Sequence, residues 1–355
     1  MQTSSTDLGY TLALAAQAAP TADNSQPLRF AWNGRTFVIA YHAAQGVKTL
    51  FGPSGHATLL AVGAALENVA ATLEIWHLPY RIEAIDLEQG KPYFHIHVEA
   101  SPSGHFQPNL SDFNQRHTNR FPYLQAPIPS EVVKEISGLR EGSSRLLVLT
   151  EKPRRHALAK LFRQASEARF LTRELHEWLV SSLRFEDGNA QEGLDAATLH
   201  LPPGGRLFMR SIRDWRRMAF LNHFGAYKLM AMVDSRLCQG APALVCILGS
   251  QGHLEIVEAG RLMERAWVAL NAAGLAVHPY YSLNDQLNRL ALGTVPKAMV
   301  AQVSRIGLEL PTLLDLSEGE ILHMMFRVGF PTRHCMRSRR LPLEQAYTAS
   351  KETLW

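Results

Sequence analysis

The stretch AAQAAPTADNSQPLRF, Ala15 to Phe30, holds a helix end, a proline stop, a polar loop and a strand start. Upstream of it Leu8, Leu12, Ala15, Ala16 and Ala19 recur at helical spacing. Pro20 ends that run, because proline lacks the amide that would continue a helix. Thr21, Asp23, Asn24, Ser25 and Gln26 then offer hydrogen-bonding side chains before Pro27 opens an extended segment. A polar loop between two rigid elements is where binding sites are often built, and it is equally the form of a plain connection.

Working outward, LRFAWNGRTFVIAYH reads as a β-hairpin, with Asn33-Gly34 expected in a type I′ turn. The run from Gly55 to Pro79 is apolar nearly all round and rich in small residues, Gly63, Ala64 and Ala65 among them. Such a helix belongs at the centre of a domain or an interface. RIEAIDLE and YFHIHVEA alternate like strands around Gln89-Gly90. His95 and His97 share a strand face and could chelate a metal, but no third ligand is evident, so a half-exposed polar face is the simpler reading.

Ser101 to Pro129 turns polar and proline-rich, as a connection between units would. Beyond it the pattern predicts a helix over 130–139, a strand over 145–150 and one long amphipathic helix over 153–183. A loop over 185–205 follows, then a helical stripe of Arg206, Arg210, Arg213 and Arg217. Trp215, Phe220 and Phe224 fall off that stripe, so it reads as a solvated or anion-facing surface rather than a nucleic-acid platform. A strand over 242–249, a helix over 259–273, a strand running into a loop over 274–283, a helix from Leu283 and a strand over 322–330 complete the chain. Helices on mixed strands make the fold class α+β.

The chain has 355 residues, 46% hydrophobic and 19% charged, with a formal charge of +4. Its mean hydropathy is −0.10 and its isoelectric point is near 9.0. That is a globular composition with weak preference for anions, a phosphate-bearing cofactor as much as a nucleic acid. Cys238, Cys246 and Cys335 have no metal-ligand spacing, which predicts a reducing, cytoplasmic setting. LALAAQA near the N-terminus has no basic residue before it and reads as a helix of the working protein rather than a leader, and no apolar run is long enough to span a membrane. Neither G-x-G-x-x-G nor G-x-x-x-x-G-K-[ST] occurs.

Two arginine-rich runs remain, RHTNR at Arg116–Arg120 and MRSRRLPLEQ at Met336–Gln345. Arginines and a hydroxyl so closely spaced can grip a phosphate by charge-assisted hydrogen bonds, or can simply be basic loops.

Together with the opening loop, these runs resemble the FMN-binding nitroreductase family. APTADNSQP, Ala19 to Pro27, is similar to the family's A-P-S-x-x-N-x-Q-P loop, which lies against the flavin; Pro20, Thr21, Asn24 and Gln26 are the matching positions. RHTNR resembles the family's R-[RH]-S-x-[RK] motif, so the resemblance implies that Arg116, His117 and Thr118, supported by Arg120, hold the FMN phosphate. The closing arginine segment resembles K-S-R-x-P, which implies Arg337 and Arg339 as the far side of the clamp. AAGLAVHP, Ala272 to Pro279, is similar to the family's glycine turn, whose amides face the flavin N5 edge, implying Gly274 and Leu275. Leu28 stands where many members have tryptophan; the Asn/Lys pair that often contacts the flavin pyrimidine edge has no clear counterpart, and the segment between Lys160 and Arg173 is the place left for one.

The loop precedes the phosphate motif here, the reverse of the ordinary order. This looks like two nitroreductase-like repeats fused in tandem, as in the Acg-type branch, whose ALEN helix is matched by Ala65 to Asn68. The resemblance implies an internal pseudo-dimer with a first half over 1–110 supplying the loop. A second half over 111–355 would carry the phosphate site and a possible lid over 186–240. It implies an FMN-dependent enzyme passing hydride from NAD(P)H to a nitro, quinone or enone acceptor, with no side chain needed as acid or base. A flavin-storing protein with little reductase activity and a flavin-dependent biosynthetic oxidase are the alternatives. The expected partners are small molecules, not nucleic acid or membrane, in a monomer with an internal pseudo-dimer or a homodimer.

Overall fold

In the computed structural model the described residues are 8–42, 50–99, 113, 115–185 and 191–349. From the N-terminus the chain runs α1 (Leu8–Gln17), β1 (Leu28–Trp32), β2 (Thr36–Tyr41), α2 (His56–Ile75), β3 (Tyr80–Ala84) and β4 (Phe94–Val98). After these come α3 (Ser130–Gly138), β5 (Arg140–Glu141), β6 (Ser144–Leu149), α4 (Lys152–Leu171), α5 (Arg173–Ser182) and β7 (Leu183–Arg184). Then follow β8 (Leu194–Asp195), α6 (Gly205–Ser211), α7 (Trp215–His223), α8 (Ala226–Gln239), β9 (Ala243–Ser250) and α9 (His253–Ala272). The chain closes with β10 (Ala276–Tyr280), α10 (Ser282–Ala291), α11 (Val300–Leu313), β11 (Glu320–Gly329), α12 (Leu343–Ala346) and β12 (Tyr347–Ala349). The fold is α+β.

Two five-stranded sheets carry this architecture, in the orders β12-β1-β2-β4-β3 and β10-β11-β9-β6-β5. Each contains two strands, a 20-residue helix and two more strands in chain order: β1, β2, α2, β3, β4 and β6, β9, α9, β10, β11. In each the four strands lie first, second, fourth, third, antiparallel throughout. In the second sheet α4 to α8 are inserted between the first two strands, and α10 and α11 between the last two. The first sheet gains β12, parallel to β1, with Phe30, Ala31 and Trp32 opposite Tyr347, Thr348 and Ala349.

The two central helices, α2 and α9, pack against each other, and the reason is legible in their small residues. A methyl group at Gly63 would lie 2.0 Å from the Val257 carbonyl oxygen, and one at Gly260 would lie 2.3 Å from that of Leu60. Only glycine at both positions lets the backbones come this close. Leu59, Val62, Leu66, Val257, Leu262 and Ala266 fill the seam and belong to the main core. At one edge Glu67 accepts from Arg265 Nε at 2.7 Å and Arg261 Nε at 3.0 Å, and both arginines also pair with Glu141.

Several expectations are corrected. Asn33-Gly34 is not a type I′ turn: only Gly34 has a positive φ, at 98°. Asn33 Oδ1 instead accepts from the amides of Arg35 and Thr36 at 3.1 and 2.8 Å, which holds the turn by a side chain. The helix expected over 153–183 is two, α4 and α5, broken at Thr172, whose Oγ1 donates back to the Ala168 carbonyl. The arginine stripe is also broken. Asp214 caps a fresh helix start by accepting from Arg216 N, so Arg206 and Arg210 lie on α6 and Arg217 on α7. Arg206 donates to the Phe185 carbonyl, while Arg210 and Arg213 lie 5.2 and 4.9 Å from the Phe185 ring. The helix expected from Ala259 starts six residues earlier, at His253 after Gly252. The expected division at residue 110 lies outside the described residues, and β12 returns from beyond the second sheet to complete the first.

Candidate functional site

A cavity of about 950 Å³ opens between the loop that follows α1, Phe113 and residues 116–120, the α6–α8 segment and the C-terminal arginine run. That is at the upper end of the size of small-molecule sites. Its floor includes Leu60 and Ala61 of α2 and Met263 and Trp267 of α9, so the two central helices meet beneath it.

The loop after α1 is strained. Asp23, Asn24 and Gln26 have φ of 48°, 58° and 48°, left-handed values that side chains rarely adopt. Backbone of this kind persists only where surroundings hold it, and here the side chains do so. Asn24 Nδ2 donates to the carbonyls of Arg339 at 3.0 Å and of Gln191 and Gly193 at 3.3 Å, while its Oδ1 accepts from Arg340 at 2.9 Å. Gln26 Nε2 donates to the Gln191 carbonyl at 2.7 Å, and its Oε1 accepts from Leu341 N at 2.9 Å. Asp23 Oδ2 accepts from Trp178 Nε1 at 2.7 Å.

Of the residues picked out by sequence, Pro20, Thr21, Asn24, Arg116, His117, Thr118, Arg120 and Arg337 line this one cavity. Gln26, Arg339, Gly274 and Leu275 do not. Gln26 and the Arg339 carbonyl stitch the loop in place. Gly274, at φ 75°, ends α9 by donating to the Asn271 carbonyl, and Leu275 is buried. The chain reaches the cavity just beyond that turn, at His278, Tyr280, Tyr281 and Ser282.

Arg116 is engaged elsewhere than its motif suggests. Its Nε pairs with Glu264 Oε1 at 3.0 Å, with both side chains buried. Its NH2 donates to the Ala18 carbonyl at 2.8 Å, and its guanidinium lies 4.6 Å from the Trp267 ring centre. Burial pushes the Glu264 carboxyl up to about 7, opposed by Arg116 and by the hydrogen bond from Asn68. Arg340 is also drawn in: it donates to the carbonyls of Gln17, Ala18 and Ala19, and burial lowers it to about 10.

Arg120 differs. It lines the cavity, burial lowers its affinity for a proton, and it has no hydrogen-bond or ion-pair partner among the described residues. A guanidinium in that state calls for an anion. Deeper in, burial and the cation of Arg327 hold His278 well below its ordinary value, and the Tyr280 hydroxyl is buried without a partner. Sequence reading missed Arg169, Asp234, His278, Tyr280 and Arg340, all in the lining. Arg340 had a signal as a third arginine in a run already noted, His278 lies inside the quoted AAGLAVHP stretch and Arg169 inside the segment between Lys160 and Arg173, whereas Asp234 and Tyr280 had none.

The fold is α+β, and among the described residues it encloses a cation-walled cavity of small-molecule size. No family model and no curated protein matches the chain. Solved structures resembling it include B. megaterium NfrA2, at 13% identity and TM-score 0.36 over 67% of this chain and 72% of that one. A nitroreductase with bound FMN from Bacteroides fragilis matches at 10% identity and TM-score 0.37, over 67% and 95%. The FMN-dependent nitroreductase NfnB from Mycobacterium smegmatis, in complex with NADPH, matches at 15% identity and TM-score 0.38, over 67% and 96%. At these identities and TM-scores the likeness transfers no residue role to this chain.

Proposed function

We propose that this protein is an FMN-dependent oxidoreductase of the nitroreductase superfamily, built from two fused repeats that share one flavin site. The observation that carries the reading is convergence. The loop after α1, then Arg116, His117, Thr118 and Arg120, then Arg337, Ser338 and Arg340 of the C-terminal segment line a single cavity. The residues fit the cofactor's phosphate, because Arg120 faces the cavity with no hydrogen bond or ion pair of its own among the described residues, only the nearby charge of Asp23 favouring its cation, and Thr118 and Arg337 stand in the same wall.

In this reading Arg120 is the main phosphate ligand, with Thr118 and Arg337 beside it. Arg116 positions the wall through Glu264 and Ala18. The loop from Pro20 to Asn24 covers the ring system, held rigid by Asn24 and Trp178. The first-turn amide of α10 at Ser282 replaces Gly274 and Leu275 as the donor at the ring edge, since a helix N-terminus favours developing negative charge. Bound there, FMN would supply hydride acceptance from NAD(P)H and donation to a nitro, quinone or enone acceptor. Phe208, Met209, Leu229 and Val233 of the 186–240 segment would act as an apolar lid that excludes water and selects flat, apolar acceptors.

Purified protein should be yellow or take up FMN in titration, and Arg120→Gln should weaken that binding by tenfold or more, the worth of a charge-assisted contact. A colourless protein that binds no FMN refutes the reading. Rapid-mixing absorbance then separates enzyme from store: bleaching of the flavin by NAD(P)H within seconds favours the oxidoreductase, and none after many minutes favours sequestration under the lid.

A further inference from the structure

Away from the cavity, the outer face of the first sheet carries a second constellation. Glu83 of β3 and His95 of β4 are directly paired across the antiparallel ladder, and His97 follows His95 on the same face. Each of the three offers one ligand atom, and these atoms all lie within 4.8 Å of one another. His97 Nε2 is 3.0 Å from Glu83 Oε2, and His97 Nδ1 is 3.0 Å from the hydroxyl of Thr36 on β2. His95 Nε2 is buried with no hydrogen-bond partner. Among the described residues this is the one such group of metal-ligating side chains.

We propose that Glu83, His95 and His97 form a binding site for a borderline divalent transition metal, zinc above all, at the edge of the first sheet. Two imidazoles and a carboxylate are a zinc donor set that leaves a fourth position for water. Thr36 supplies the outer contact such a site needs: a hydroxyl on Nδ1 fixes the His97 ring and presents Nε2 as the ligand atom. Tetrahedral coordination needs ligand atoms about 3.3 Å apart, a closure that small side-chain rotations supply from the present spacing. The competitor is Arg81, whose NH1 lies 3.3 Å from Glu83 Oε2 and must yield to the metal. In the first sheet β3 has only β4 as a neighbour, so the metal would clip this edge strand to the sheet.

The test uses the tag-free full chain, stripped with chelator and titrated with zinc against a chromophoric competitor. The wild type should bind one more equivalent of zinc than His95→Ala or Glu83→Gln, each of which should weaken this site at least tenfold. Arg81→Ala should tighten it, and its folding is protected by the residue's exposed position. Zinc should also raise the Tm of the wild type and not that of His95→Ala. Equal zinc uptake and equal Tm response in the wild type, both ligand variants and Arg81→Ala overturns the proposal. Because FMN binding is read separately by colour, either proposal can fail alone.

Discussion

Replacing Arg116 by methionine keeps most of the side chain's volume and deletes its charge, which isolates what the Arg116–Glu264 pair contributes. In the wild type Glu264 titrates near 7, against an ordinary 4.5, because burial penalises its charge more than Arg116 and Asn68 favour it. The folded state therefore binds more protons than the unfolded one between those values, and stability falls as pH rises through about 7. Between pH 6 and 8 that loss is about 1.4 kcal/mol for the wild type. Without Arg116 the carboxyl moves further up and the loss over the same two pH units approaches about 2.7 kcal/mol. At pH 6, where Glu264 is mostly protonated, the variant forfeits chiefly the contacts to the Ala18 carbonyl and the Trp267 ring, about 2 kcal/mol together. Urea unfolding of flavin-free protein should give a destabilisation of about 2 kcal/mol at pH 6 and about 3 kcal/mol at pH 8, consistent with breaking a buried ion pair. A destabilisation below 1 kcal/mol, or one that shrinks toward pH 8, refutes this account of the pair.

Three further outcomes can be checked. Gly260→Ala should cost about 3 kcal/mol by thermal unfolding, since its methyl group would strike the Leu60 carbonyl, whereas Gly307→Ala on α11, 3.4 Å from a flexible Leu287 methyl, should be neutral or gain up to about 1 kcal/mol. Burial holds the stacked pair His56 and His323, 3.0 Å apart, at about 3 and about 4, so the unfolded state binds more protons below pH 6.5. Stability should then fall on acidification through that window by about 1.4 kcal/mol per pH unit for each histidine, partly offset by Glu264, and His56→Gln should remove one such slope in urea titrations at pH 4.5 and 6. Asn24→Ala should cost about 2–3 kcal/mol by calorimetry, because it strands carbonyls in two distant segments along with Arg340.

Local chemistry was legible in the sequence to the extent that it was decided locally. Pro20 stopping α1, glycine in the β1–β2 turn and the small residues of α2 each act within a few residues of themselves. The breaks at Thr172 and Asp214 were hidden because the amphipathic pattern runs on past the first and the arginine spacing past the second, where the Asp214 side chain caps a fresh helix start. β12 was invisible for another reason: three residues have no strand signal until β1 offers them a parallel edge. At the site, RHTNR announced a basic cluster but not its division of labour. Arg116 and Arg120 are the same residue type in one motif, and only the fold brings Glu264 to the first and leaves the second facing the cavity. The third ligand beside His95 and His97 was equally hidden, since Glu83 is set opposite them by strand register alone.

The strained loop and the C-terminal arginine run are best understood as one device. Arg340 donates to the last carbonyls of the α1 end and to Asn24, and Gln26 accepts from Leu341, so the loop's left-handed backbone is held by residues that lead directly into α12 and β12. β12 in turn pairs with β1, the strand that begins immediately after the loop. The segment that supplies Arg337 to the cavity is thus anchored to the first sheet at both ends of the loop it restrains. Displacing either partner would release the other, so the cationic wall and the covering loop should order or melt together. The cavity's composite character follows from that closure: without the C-terminal segment the loop after α1 would lose its conformation, and without the loop the cationic wall would lose its counterpart.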